Sequence, residues 1–97
     1  MKLNLRFNVI GLDGKDILDD KKSPIKMNEQ IANALARDTK NSIRFIDWAM
    51  TLHKDGVIEI TDADKDLLKT FIEGNDTITN LIKGPVLKIL QDLKETK

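Results

Sequence analysis

Asp62, Asp64, Asp66 and Glu73 come nearest to a chemical signature in this 97-residue chain, with the spacing of positions 1, 3, 5 and 12 in a calcium-binding loop. Position 6 of such a loop needs glycine for its sharp turn, and here it is Leu67. The acidic set therefore reads as the first turns of a helix, where the dipole favours negative charge. A second frame places Gly56 and Ile58 between two helices in an EF-hand layout, with Thr51, His53, Asp55, Glu59 and Asp62 at ligand positions. Only Asp55 and Asp62 suit calcium, too little charge for a site, so the segment reads as a plain helix–strand–helix connection. His53 is the only histidine and ends a helix, where it can meet terminal carbonyls. A nucleophile and its base must lie within hydrogen-bond reach, and Lys54 and Asp55 beside His53 suggest no such pair. Ser23 and Ser42 stand in no motif, no phosphate-binding loop or dinucleotide fingerprint is present, and there is no cysteine. No catalytic, cofactor-binding or metal-ligating residue is expected, and the chain reads as a non-enzyme.

Charge adds little. Sixteen basic side chains balance sixteen acidic ones, so no global field draws nucleic acid or an anionic membrane. Arg37, Lys40 and Arg44 would share a face if the two middle helices were continuous, with Lys21, Lys22 and Lys26 near them. Such a basic patch can touch phosphates. No aromatic residues interleave for base stacking, so a solvated basic surface is the expectation and nucleic acid is not an expected partner. Trp48, the only tryptophan, sits in the most apolar helical run and reads as a core anchor rather than a partner-binding hot spot. The N-terminal segment alternates polar and apolar residues, unlike a signal peptide or a membrane span, which points to the cytoplasm.

The elements that must position these residues form one α+β domain over 1–97. Leu3, Leu5, Phe7 and Val9 alternate with Asn4, Arg6 and Asn8, a half-buried strand over about 2–10. Asp13-Gly14 suggests a two-residue type I′ hairpin turn, placing Ile10 opposite Ile17 and Val9 opposite Leu18. Val9 and Leu18 then share the core face, and Ile10 and Ile17 the other. Residues 19–26 read as a loop, and no internal repeat is evident. Asn28 is the expected N-cap of a helix over 29–37, and Ser42 that of a helix over 43–53. The second of these has an apolar set wrapping more than half its circumference, as a central helix would. Val57–Ile60 is a candidate third strand. Thr61 caps a third helix, with Asp64 at the capping-box position, and Gly74-Asn75 ends it. A last helix runs over about 76–94, interrupted at Gly84-Pro85, where a kink or a split is expected because proline clashes with the Leu81 carbonyl.

The start MKLNLRFNVIGLDGK, the IANALA helix, the stretch IRFIDWAMTLHKDGVIEIT and the run DKDLLKTFIEGNDTITNLIKGPVLKIL together resemble small proteins encoded in prophages and related mobile elements of Bacteroidetes. The likeness covers most of the chain and lapses over 19–27, and Gly84-Pro85 departs from the uninterrupted last helix expected of the group. It implies a phage-related context, among virion assembly genes, and no reaction. The expected function is that of a phage-derived accessory or assembly protein acting by protein–protein binding, its partner another phage-encoded protein or a second copy of itself. The alternative is a nucleic-acid-associated regulator using Arg37, Lys40 and Arg44. The candidate interface is the edge of the first strand, free unless Val57–Ile60 or another chain pairs with it, where Arg6 is the only outward charge opposing edge pairing, with the apolar surface around Ile10 and Ile17. The second candidate is the last helix near Pro85.

Overall fold

The chain is described here by a computed structural model covering residues 1–93. Its elements run β1 (Lys2–Asn4), α1 (Met27–Arg37), α2 (Ser42–Asp55), β2 (Val57–Glu59), α3 (Asp62–Glu73) and α4 (Asn80–Asp92), an α+β fold. β1 pairs antiparallel with β2, with Leu3 opposite Ile58. This pairing satisfies one edge of the first strand from within the chain. Leu3, Leu5 and Ile58 point into the core, and Ile60 N–H donates to the Met1 carbonyl, extending the ladder.

The hairpin after β1 is present, but its register differs from the expected one. Ile10 lies opposite Asp16, not Ile17. Gly14 N–H donates to the Gly11 carbonyl and Gly11 N–H to the Lys15 carbonyl. Within this turn only Gly14 has positive φ, at 79°. The turn is therefore the three-residue kind, a type I turn closed by a left-handed residue, and not the type I′ turn that needs two positive φ values. One residue of slip exchanges the faces. Ile17 turns inward beside Val9 against the core, while Leu18 is half exposed at 51%.

Residues 19–26 are not a plain loop. Lys22 N–H donates to the Asp19 carbonyl and Asp19 N–H to the Ser23 carbonyl, repeating the first turn eight residues on. Leu18 then bridges Pro24, and Asn8 bridges Lys26. The result is a three-armed hub. Ile17 N–H donates to the Val9 carbonyl, Ile25 N–H to that of Ile17, and Val9 N–H to that of Ile25. Three strands cannot all be mutually antiparallel along their length, so each pairs with one neighbour over half its span and with the other over the rest. Arm one ends at Leu12–Gly14, arm two at Asp20–Lys22, and the third runs into the body at Phe7 and Met27. The structure thus contains an internal repeat that composition conceals.

α1 buries Met27, Ile31, Ala32, Ala34 and Leu35 against α2. It starts two residues before the expected point, and Asn28 does not cap it. The Asn28 amide instead donates to the Leu52 carbonyl at the far end of α2, at 2.8 Å. α2 starts at Ser42 after Asn41, which is left-handed with φ 56°, and Ser42 makes no cap. Phe45 and Trp48 stack at 5.7 Å, and Phe71 of α3 meets Phe45 edge-on at 5.0 Å. Trp48 is thus a core anchor, at 9% exposure. Each fully buried side chain such as Leu5, Leu52 or Phe45 contributes roughly 1.5–3 kcal/mol.

α3 begins as expected. Thr61 Oγ1 accepts from Asp64 N–H, and Asp64 Oδ2 accepts from Thr61 N–H. Residues 76–79 are turn rather than helix, because Asn75 Oδ1 accepts from both the backbone and the hydroxyl of Thr77. α4 is a single helix with Pro85 inside it, so it is not split at Gly84-Pro85. Lys94, the expected end of this helix, lies outside the described residues.

Candidate functional site

The most distinctive surface is built by the two middle helices. α2 turns Phe45, Trp48, Ala49 and Leu52 inward and leaves Ile43, Ile46 and Met50 outward. The outward three are spaced i, i+3 and i+7, one stripe of a helix. They are 80%, 44% and 67% exposed. The excess of apolar residues on α2 therefore does not make it a central helix, since nothing among the described residues covers its outer third.

Beside this stripe α1 presents Ala32, Asn33 and Ala36. Small side chains on both facing surfaces, with Ala49 completing the floor, leave an open groove of about 540 Å³. Ile46 and Met50 wall one side, and His53, Lys54 and Asp55 close one end. That end is held firmly. Asn28 donates to the Leu52 carbonyl, Gly56 N–H donates to the same oxygen, and Arg6 Nε donates to the Asp55 carbonyl at 2.6 Å. Gly56 has φ 76°, and a Cβ there would stand 2.6 Å from the Arg6 side chain. Glycine is required on both counts. The last four carbonyls of a helix lack intrahelical partners, and here side chains from elsewhere in the fold reach two of them, those of Leu52 and Asp55.

Arg6 is therefore not the guard of an open strand edge, because its guanidinium ties the exit of β1 to the end of α2. Ile10 is 44% exposed, on the outer side of arm one. Ile17 is half-buried and packs inward, so it does not share a surface with Ile10. Pro85 is exposed on α4. Ile10 and Ile17 therefore do not form the shared apolar surface expected of them.

The basic residues also separate. α1 and α2 are divided by residues 38–41, with the left-handed Asn41 between them, so the continuous face does not form. Arg37 borders Gln30, Ala34 and Thr77. Lys40 borders Asp38, Phe45 and Thr70. Arg44 is committed elsewhere, 3.0 Å from Asp64 and over the Trp48 ring at 5.9 Å. Asp64 thus serves both the α3 cap and Arg44, a structural use of the acidic cluster. Asp55 and Glu59 of the second calcium frame are also structural, Asp55 within helix α2 and Glu59 in strand β2. Among the described residues, no three His, Cys, Asp or Glu side chains are placed to hold a metal ion. No buried side chain there is polar or charged, and no helix is long and apolar enough to cross a membrane.

Sequence reading missed the groove. Its signal was present, since Ile43, Ile46 and Met50 exceed what one buried face can absorb once Phe45, Trp48, Ala49 and Leu52 are inside. No protein-family model, curated protein or solved structure matches the chain.

Proposed function

We propose that this chain is a non-catalytic protein-binding domain, acting in the cytoplasm as an accessory or assembly component of a phage-derived element, and that it binds through the α1–α2 groove and the outer stripe of α2. The observation that carries the reading is the stripe of Ile43, Ile46 and Met50 beside an alanine-floored groove. Single exposed apolar residues are ordinary, whereas a contiguous set bordering a concavity marks an interaction surface. The phage context rests on the sequence resemblance.

Affinity capture from cells expressing the parent element tests this. The wild-type chain is compared with an Ile46→Asp/Met50→Asp variant whose circular dichroism and melting match it. A protein retained by wild type and lost from the variant is the expected result. Identical captured sets overturn the reading. A mobility-shift assay distinguishes the nucleic-acid alternative, which predicts sequence-selective binding that survives physiological salt.

A further inference from the structure

The molecule carries a protrusion that fits its own groove. Leu12 stands at the apex of arm one, 98% exposed, the most exposed large apolar side chain described. The turn does not need a leucine there. Arm two builds the same turn with Asp20 at the equivalent position. Leu12 is flanked by Asp13, whose carboxylate has no cation within 4.0 Å among the described residues. The groove supplies an apolar wall from Ile46 and Met50, and at its end stand an exposed Lys54 and an exposed Asp55, neither of them ion-paired among the described residues.

We propose that the groove's occupant is a second copy of this chain, whose arm one lays Leu12 in the groove against Ile46 and Met50 and brings Asp13 toward Lys54. This deepens the protein-binding reading and rests on it. The contact is heterologous, since the donated arm and the receiving groove are different surfaces. Such contacts propagate head to tail into rings or filaments rather than stopping at a symmetric dimer. The individual contact is small and therefore weak, so assembly depends on concentration.

Sedimentation over a concentration series reads the outcome. Wild type is expected to rise above the 11.0 kDa monomer mass. Leu12→Asp, which copies the Asp20 turn, and Met50→Asp, on an exposed helix face, are each expected to stay monomeric. Their equimolar mixture is expected to reach twice the monomer mass and stop, because one variant keeps the groove and the other keeps the arm. Ala36→Arg, which fills the groove from α1, serves as a second groove variant should Met50→Asp melt early. Three results overturn the proposal: wild type monomeric throughout, Leu12→Asp assembling as wild type does (a groove-to-groove contact), or a mixture that remains monomeric. If self-association fails while groove-dependent capture of another protein succeeds, the second copy is ruled out as occupant and the protein-binding reading stands. If both fail, that reading falls as well.

Discussion

Arms one and two are the same structure written in different residues. Both open with an N–H to carbonyl bond across five residues, Gly11 to Lys15 and Asp19 to Ser23, and both close a type I turn on a left-handed residue. In arm one that residue is Gly14, with φ 79°, and in arm two it is Lys22, with φ 63°. Glycine adopts this conformation freely, whereas an ordinary side chain meets the following carbonyl and loses about 1–2 kcal/mol. Arm two offsets the strain locally, because Asp19 Oδ1 accepts from both Lys21 N–H and Ser23 N–H at 2.9 Å. Arm one has one such bond, from Lys15 N–H to Asp13 Oδ1. Arm two therefore spends side-chain chemistry on holding its turn, while arm one holds its turn through backbone geometry and leaves Leu12 uncommitted at the tip. At the tips, turn formation accounts for Asp20–Lys22 of arm two and for Asp13 and Gly14 of arm one, and leaves that leucine over.

The hub that both arms share should respond most strongly. Val9 is 2% exposed and takes part in two of the three central hydrogen bonds. Val9→Ala is expected to lower stability by roughly 2 kcal/mol, from lost burial and the cavity left behind. Leu12→Ala at the tip should change it by less than about 0.5 kcal/mol, as surface substitutions do. Urea unfolding monitored by Trp48 fluorescence, at concentrations too low for association, measures both. Equal effects would mean that the hub is not part of the cooperative core.

A middle-sized effect separates the arms. Asp19→Ala strips two backbone N–H groups of their acceptor and should cost about 1–1.5 kcal/mol, while Asp13→Ala strips one and should cost about half that. The same denaturation assay checks the order. A larger loss from Asp13→Ala would break the claim that arm two leans on its side chain.

How much of this could be read beforehand follows the same division. The Thr61–Asp64 capping box was legible because both partners sit three residues apart and need nothing from the rest of the fold. The short strand at 57–59 and the buried Trp48 were legible from local pattern. The hairpin register was not, because Asp-Gly serves a two-residue type I′ turn and a three-residue turn equally, and the choice was made by the hub, which requires Val9, Ile17 and Ile25 to face one another. Arm two was hidden because Lys22 occupies a left-handed position inside a charged run, where no glycine marks it. The groove was half legible. Its residues announced an apolar excess on α2, but periodicity cannot say which apolar face finds a neighbour, and the break at 38–41 that fixes the angle between α1 and α2 carries no strong signal.

The smallest effect is also the most specific. If arm two stores strain at Lys22, Lys22→Gly should raise stability, whereas Gly14→Ala in arm one should lower it. The gain at position 22 is limited to below about 1 kcal/mol, because glycine also gives the unfolded chain more freedom to lose on folding. The loss at position 14 is expected at about 1 kcal/mol, since open space surrounds its Cβ position and only the backbone conformation opposes alanine. Opposite signs from substitutions at equivalent positions are hard to produce by any general effect on exposed charge or helix content, and the paired melts read them directly. Lys22→Gly carries one complication, the loss of a positive charge beside Asp19 and Asp20. Lys22→Asn keeps that loss and restores a side chain that tolerates the left-handed region. A gain from both glycine and asparagine, with glycine at least equal, marks the backbone as the source. A loss from both would show that the lysine charge, not the turn geometry, holds arm two in place.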